Sequence, residues 1–248
     1  GYLRSPAGCT VWEFADVESK SFDAWMMKES FAEAYLGEDS CAGVPLFLYS
    51  ALATHGMDMV LQEADKAGNS GPSMLGAHGY CTQEAVNLLA TGVASSNIFD
   101  GERWLGEAGS GDRLRLGGIM ARSEVGLLSL FEAYDQLEVG RNYKQPRWPV
   151  WLIHAESHYS VAFALTRNSS DKAEFDCGTE DVEQERDVWY YDPLGRQDEE
   201  KRITVTPNSL PEPPEEDDLE ENGMIAKVLR TRWGKLAGLN WNGAEPIF

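Results

Sequence analysis

The sequence comprises 248 residues, 42% of them hydrophobic, with a mean hydropathy of -0.39, and this is enough to bury a sizeable core in one domain. It contains 41 acidic and 21 basic residues, and the resulting net charge of -20 argues against a nucleic-acid partner because it repels phosphate. No apolar run approaches a membrane span, which argues against a membrane partner. The four cysteines form no close pairs, which argues against a zinc cluster or a disulfide scaffold, so we expect a reducing compartment, the cytoplasm or the nucleus.

The N-terminal quarter predicts two helices. Apolar residues recur at helical spacing over residues 22–36, with Ser21 able to cap the start of the helix and Gly37 its end. The apolar run over residues 44–53 predicts a buried helix, and Pro45 suits its first turn.

Residues 82–91 carry the clearest helix signals in the chain. Thr82 supplies an N-cap oxygen, Glu84 places negative charge in the first turn, and Gly92 can end the helix. The buried stripe of this helix is predicted to consist of Val86, Leu89 and Ala90.

The next fifty residues predict a loop followed by a helix. Residues 101–118 are rich in glycine but have neither the lysine of a P-loop nor the spaced acids of an EF-hand, so a flexible connection is predicted. Residues 123–137 predict an amphipathic helix capped by Ser123, with Glu124 in its first turn.

Residues 149–165 have apolar flanks around a short polar patch that includes two of the four histidines. β-Branched and aromatic residues dominate the flanks, which indicates a β-hairpin, or one long strand, with its polar part at the tip. Such a tip suits a catalytic residue, because buried strands can hold a side chain rigidly and aim it into a cleft.

Three interpretations of the polar patch compete. In the first, His158 is a general base that activates a nucleophile elsewhere in the chain. In the second, an unbroken strand places His154, Glu156 and His158 on one face, where they could hold a transition metal. In the third, these are ordinary surface residues of a turn. The pair Glu156-Ser157 is typical of a turn, which would break the shared face and favours the general base over the metal site.

The C-terminal third combines a strand, an acidic insertion and an aromatic ending. Residues 188–192 predict a strand, and residues 192–195 are typical of a turn that ends it. Residues 207–222 form a low-complexity acidic insertion that we expect to be disordered. Trp233 and Trp241 are expected to pack onto the core.

A histidine block and several shorter blocks, spread over most of the chain, together resemble one known family. The histidine block is AESHYSV, residues 155–161. The shorter blocks are GAHGYCTQE (76–84), VNLL (86–89) with TG (91–92), SNIF (96–99), ARS (121–123), LSLFE (128–132), YYD (190–192), RTRW (230–233) and NWNG (240–243). They resemble the MINDY deubiquitinases, most closely the branch that contains the third and fourth members.

The resemblance implies an α+β, papain-like cysteine protease fold with helices packed on a small antiparallel sheet. It implies hydrolysis of isopeptide bonds in ubiquitin chains, with a preference for the proteasome-targeting linkage, so that ubiquitin and polyubiquitin are the partners and no cofactor or metal is required. His158 falls on the catalytic histidine of the family, which takes the thiol proton and returns it to the leaving amine. Papain-like sites use a third residue that orients the histidine, and Asp192, a carboxylate at a strand end, is the candidate.

The nucleophile of the family is a cysteine in a glycine-rich segment, upstream of every block matched here. The sequence shows no such segment, so we expect residues 1–248 to be the C-terminal portion of a single deubiquitinase catalytic domain, inactive without its nucleophile. Cys9 precedes an apolar run, but its surroundings do not match the cysteine block of the family. Cys81 lies in a matched block of a different kind, and Cys41 and Cys177 have no local support.

Two other functions stay open at this level. The chain could be a ubiquitin-binding module without catalysis, or part of a pseudoenzyme. It could also be a metal-dependent enzyme that uses His154, Glu156 and His158.

Overall fold

The computed structural model describes Phe14, Phe31 and residues 20–28, 43–65, 73–107, 113–165, 183–195, 197–215 and 223–245. The chain divides into two compact units, Gly1–Gln62 and Glu63–Phe248. Of the acidic insertion predicted at 207–222, only residues 207–215 are described.

The described part of the first unit is helical. It contains α1 (Lys20–Met26), α2 (Gly43–His55) and most of α3 (Met57–Glu63). The helix predicted over residues 22–36 is confirmed over residues 22–26, but it begins at Lys20, so Ser21 lies within the helix and is not its cap. Met27 and Lys28 form a turn, which ends the helix earlier than predicted, and residues 29, 30 and 32–36 lie outside the described residues.

Helix α2 confirms the helix predicted over residues 44–53, but the prediction that it is buried is wrong. Val44 and Phe47 are 73% and 56% exposed, and Leu48 is the buried residue of this helix. The apolar residues of α2 are spread around the helix. Packing of one side therefore leaves apolar side chains on its other sides exposed among the described residues.

Among the described residues, no single helix is both long and apolar enough to cross a membrane. Helices α2 and α3 reach the required length and apolar character only when taken together, and they meet at an angle of 84°.

The second unit combines four helices and a 3-10 turn (Ala77–Gly79) with eight strands among its described residues. The helices are α4 (Gln83–Thr91), α5 (Leu130–Ala133), α6 (Arg141–Lys144) and α7 (Met224–Trp233). The strands are β1 (Glu102–Leu105), β2 (Leu114–Gly117), β3 (Gly126–Ser129), β4 (Val150–Ala155), β5 (His158–Phe163), β6 (Arg186–Tyr191), β7 (Lys201–Thr206) and β8 (Gly238–Asn240).

Strands β3 to β8 form one sheet in chain order, β3-β4-β5-β6-β7-β8. The pair β3 and β4 is parallel and every other pair is antiparallel. Strands β1 and β2 form a separate antiparallel hairpin. Helices around a mainly antiparallel sheet make an α+β fold, as predicted.

The main core lies between one face of the large sheet and helices α5 and α7. Its largest fully buried members are Trp151 of β4 and Trp233 of α7, whose rings meet edge to face with their centroids 5.5 Å apart. Trp241 is buried in the same cluster, so the predicted packing of both C-terminal tryptophans is confirmed. A second cluster contains Ile98, Ile119, Leu127, Val139 and Tyr143.

The helix predicted over residues 123–137 is wrong, because residues 126–129 form strand β3. All four residues of β3 are buried. A strand that pairs in parallel and is buried on both faces forms a continuous apolar run, which periodicity cannot distinguish from a helix. The helix that follows is the short α5, and its cap is Ser129, whose Oγ accepts a hydrogen bond from the N–H of Phe131.

The flexible connection predicted over residues 101–118 is replaced by the β1–β2 hairpin. Trp104 pairs with Arg115 and Leu105 with Leu114. These cross-strand pairs carry the local structure, while residues 108–112 lie outside the described residues.

Helix α4 confirms the best-marked prediction, with corrections to its cap and its buried face. Gly92 ends it in the left-handed region with φ 76°, and its N–H donates to the carbonyl of Leu88. Thr82 occupies the N-cap position, but its hydroxyl donates to the carbonyl of Ser73 at 2.6 Å instead of capping the helix. The buried residues are Ala85, Asn87 and Leu88, not the predicted stripe of Val86, Leu89 and Ala90.

A buried amide explains why the face of α4 differs from the prediction. Asn87 accepts a hydrogen bond from the Tyr143 hydroxyl at 2.6 Å and donates to the carbonyls of Ser95 and Asn97 at 2.8 and 3.0 Å. A buried polar side chain is tolerated when its hydrogen bonds are made. A pattern based on apolar residues alone cannot anticipate such a position.

Candidate active site

The hairpin predicted at residues 149–165 is present, and its tip is a two-residue turn. Strands β4 and β5 pair up to Ala155 and His158, which leaves Glu156 and Ser157 as the turn. The first of them, Glu156, has φ 56°, a conformation that is uncommon for a residue with a side chain. The predicted turn is therefore confirmed, and His158 is the first residue of β5.

Alternation along the hairpin separates its two histidines. His158 lies opposite Ala155, whereas His154 lies opposite Tyr159, one position along the strand. Successive side chains of a strand point to opposite faces, so the two histidines lie on opposite faces of the sheet. The unbroken strand that the metal interpretation requires is absent. Among the described residues, no group of three or more His, Cys, Asp or Glu side chains could hold a metal ion.

His154 belongs to an aromatic stack. Its ring lies on the Tyr159 ring, with centroids 4.6 Å apart and an interplanar angle of 9°, and the Phe131 ring lies 5.4 Å away. Burial lowers the pKa of His154, and a hydrogen bond to the backbone of Glu156 opposes that shift only in part. This environment favours a neutral, packed imidazole.

The register between β5 and β6 brings Asp192 to the face that carries His158. Val161 pairs with Tyr191, the last residue of β6. Continuing that register by one residue places Asp192 opposite Ser160, which shares a face with His158. The histidine at the start of one strand therefore meets the carboxylate just beyond the end of its neighbour.

The two side chains are in contact. The Nε2 atom of His158 lies 2.9 Å from Oδ2 of Asp192, and the side chains are 38% and 17% exposed. Nε2 is buried, but its contact with the carboxylate does not meet the angular requirement of a hydrogen bond. Hydrogen bonds in active sites are often long or poorly aligned before a substrate binds, so this geometry is compatible with a functional pair.

The contact also distinguishes the two ring nitrogens. Because Nε2 faces the carboxylate, the other nitrogen, Nδ1, is the one that can accept a proton from a nucleophile. A carboxylate next to Nε2 favours the tautomer in which Nε2 carries the proton, which leaves the Nδ1 lone pair available.

A buried hydroxyl pair lies on the same face of the sheet. Ser160 is buried, and so is Tyr190, the residue before Tyr191 on β6. The pKa of Tyr190 is raised mainly by burial, with a contribution from the charge of Asp192, while a hydrogen bond with Ser160 lowers it. The carboxylate thus lies next to a polar group that is neutral at ordinary pH.

Comparison with known proteins matches residues 16–243 to the family described as deubiquitinating enzyme MINDY-3/4, conserved domain. The chain belongs to this family. It is 41% identical over 211 residues to the probable ubiquitin carboxyl-terminal hydrolase MINDY-4 of Bos taurus, a match that covers 83% of the chain and 25% of that protein. It is 36% identical over 223 residues to human MINDY-4, covering 89% of the chain and 27% of that protein.

A further relative is the ubiquitin carboxyl-terminal hydrolase MINDY-3 of Xenopus tropicalis. It is 35% identical over 150 residues, covering 60% of the chain and 32% of that protein. The chain thus spans about a quarter of the length of the MINDY-4 relatives it matches. No solved structure matches the chain.

The described part of this MINDY-family chain contains one cysteine, Cys81, which is exposed and not in a disulfide. Burial raises the pKa of Tyr159, and the charge of Cys81 raises it further. Cys9, Cys41 and Cys177 lie outside the described residues.

His158 was predicted as a site residue from the histidine block and Asp192 from its place at a strand end, and the structure brings the two side chains together. Gln197, whose side chain contacts the backbone of Asp192, was not predicted. The turn signal at residues 192–195 pointed to this segment of the chain, but no pattern in the sequence marks a glutamine five residues beyond the aspartate.

Proposed function

We propose that this chain is the histidine-bearing part of a papain-like cysteine deubiquitinase that hydrolyses isopeptide bonds in ubiquitin chains, preferring the proteasome-targeting linkage. The observation that carries the proposal is the 2.9 Å contact between His158 and Asp192 in a chain of the MINDY-3/4 family. The linkage preference rests on the family resemblance alone.

In the proposed mechanism His158 is the general base and acid. Its Nδ1 takes the proton of the cysteine thiol, and the thiolate attacks the isopeptide carbonyl. The same nitrogen then gives the proton to the lysine amine as that group leaves, and a water molecule hydrolyses the thioester in a second step. Asp192 keeps the proton on Nε2 and stabilises the imidazolium that forms between the two transfers.

The nucleophile is proposed to be a cysteine upstream of Gly1. The blocks that resemble the family lie downstream of its cysteine segment, which supports this placement. The 248-residue chain alone is therefore expected not to hydrolyse ubiquitin chains, and hydrolysis by it would contradict this part of the proposal.

The test uses the protein with all of its natural upstream sequence and a ubiquitin that carries a thiol-reactive group at its C-terminus. Wild type is compared with His158→Ala and with His78→Asn. His78 is an exposed histidine with φ 63°, a conformation that asparagine tolerates, so His78→Asn is a matched control. We expect labelling of an upstream cysteine that is lost in His158→Ala and kept in His78→Asn.

Other results of this experiment would overturn the proposal in identifiable ways. Labelling of Cys9 or Cys81 would show that the nucleophile lies within the 248 residues. Binding of ubiquitin without labelling of any cysteine would favour the non-catalytic ubiquitin-binding module. A stoichiometric metal in the purified protein, detected by elemental analysis, would contradict the cysteine mechanism.

A further inference from the structure

Asp192 lies in the connection between β6 and β7, which runs from residue 192 to residue 200. Loop residues are usually more mobile than strand residues, yet a residue that orients a histidine has to be held to within a fraction of an ångström. The strand ladder cannot supply this precision, because Asp192 follows the last residue of β6.

Three hydrogen bonds within the loop fix Asp192 instead. The N–H of Leu194 donates to Oδ1 of Asp192 at 2.9 Å, and the N–H of Gly195 donates to its carbonyl at 3.2 Å. The side-chain oxygen Oε1 of Gln197 accepts a hydrogen bond from the N–H of Asp192 at 2.5 Å. Backbone and carboxylate of Asp192 are thus each held by a separate contact.

The environment of Gln197 matches this role. Its side chain is partly buried, whereas every other described residue between 193 and 200 is exposed. Its amide nitrogen Nε2 lies 3.5 Å from the carbonyl of Glu199, so the side chain spans the loop between two backbone groups. A surface loop does not otherwise require a glutamine turned inward.

We propose that Gln197 is a positioning residue of the site: by holding the backbone N–H of Asp192 it keeps Oδ2 of the carboxylate against Nε2 of His158. The inference rests on the proposed function for its catalytic consequence. The effect of Gln197 on the position of the carboxylate does not depend on whether the protein is an enzyme.

The geometry of the loop separates two effects. Gln197 acts on the backbone of Asp192, while the Leu194 N–H occupies Oδ1 and so leaves Oδ2 as the oxygen available to the histidine. Loss of the Gln197 side chain frees the backbone and moves both oxygens together. The contact with His158 is then weakened without removal of any charge.

The first measurement is nuclear magnetic resonance on the 248-residue chain labelled with 15N-histidine. In the wild type we expect a protected Nε2–H signal from His158, assigned by its loss in His158→Gln. Gln197→Ala should raise the rate at which this proton exchanges with water by about fivefold, the change expected from the loss of one net hydrogen bond. Gln197→Glu keeps an acceptor oxygen and should retain the signal.

Asp198→Ala is the matched control, because Asp198 is an exposed neighbour in the same loop. It should leave the exchange rate unchanged. Equal exchange rates in wild type and Gln197→Ala, or no protected signal in the wild type, would overturn the inference. Circular dichroism melting of each variant shows whether a change arises from unfolding.

The second measurement is turnover of ubiquitin chains by the protein with its natural upstream sequence. Gln197→Ala should lower kcat by about 10-fold to 100-fold with little change in KM, as expected for a displaced orienting group, and Gln197→Glu should recover most of the loss. Equal losses of kcat in the two variants would contradict a positioning role. A changed Nε2–H signal in a protein that cleaves nothing would uphold the inference and overturn the proposed function.

Discussion

The two members of the candidate pair are held by different means. His158 begins strand β5, and its backbone is fixed by the ladder with β4 and by a turn of only two residues. Asp192 begins a nine-residue connection and is fixed by hydrogen bonds to Leu194, Gly195 and Gln197. The position of the histidine therefore depends on the sheet as a whole, whereas that of the carboxylate depends on a few contacts that single substitutions can remove.

The largest effect is expected from Asp192→Asn. The Leu194 N–H donates to Oδ1, so an asparagine there must turn its carbonyl oxygen to Leu194 and its NH2 group to His158. Nε2 must then accept a hydrogen bond, which moves the ring proton to Nδ1 and blocks uptake of the thiol proton. We expect a loss of about 10³-fold or more in kcat, because a histidine in the wrong tautomer loses activity on this scale.

Turnover and the 13C shift of Cδ2 in His158, which distinguishes the two tautomers, check this prediction. Asp192→Ala is the control for the tautomer, because alanine has no NH2 group that could donate to Nε2 and so cannot force the ring proton onto Nδ1. Unchanged turnover in Asp192→Asn would remove Asp192 from the mechanism.

A smaller effect is expected from Gly195→Ala. A Cβ atom at this position would lie 3.1 Å from Oδ2 of Asp192, and glycine is not needed there for a positive φ. The carboxylate must shift by a few tenths of an ångström, and we expect a loss of about tenfold in kcat. Leu194→Ala is the control, because the Leu194 side chain is 77% exposed and only its backbone holds Asp192. An unchanged kcat in Gly195→Ala would show that the site tolerates a shift of the Asp192 carboxylate.

On the other face of the hairpin, His154 predicts a pH dependence of stability. Burial lowers its pKa in the folded state below the ordinary value of 6.5, so the unfolded chain binds more protons as pH falls through 6.5. Stability is therefore expected to be full above this value and to fall as the solution becomes more acidic. The urea concentration at the midpoint of unfolding should fall between pH 7.5 and pH 5.5, and it should fall less in His154→Gln than in wild type. An equal fall in both proteins would contradict this prediction.

The smallest effect is expected at the hairpin tip. Glu156 holds φ 56°, which glycine adopts without a Cβ penalty, so Glu156→Gly should raise the free energy of unfolding by about 0.5–1 kcal/mol. Ser157→Gly is the matched control, since Ser157 has a negative φ and gains no such relief. Thermal melting checks both, and a lower melting temperature in Glu156→Gly would show that its side chain stabilises the turn.

The elements predicted correctly from the sequence are those whose signals are local. The β4–β5 hairpin combines β-branched flanks with Glu156-Ser157 at a turn, and α4 ends at Gly92, where a left-handed residue is required. Strand β3 was missed because its burial on both faces depends on β4, more than twenty residues away. The buried face of α4 was missed because Asn87 is satisfied by Tyr143, which follows it by 56 residues.

The sequence alone predicted the family and the β4–β5 hairpin correctly, because each is encoded in short contiguous blocks, and from the same blocks it predicted His158 as the catalytic histidine. It also nominated Asp192 as a partner, but the contact itself depends on tertiary structure. The register of β5 against β6, Val161 opposite Tyr191, places the carboxylate on the face of His158, where its Oδ2 lies 2.9 Å from the ring. The register of β4 against β5, with His154 opposite Tyr159, separates His154 from His158, since successive residues of a strand point to opposite faces.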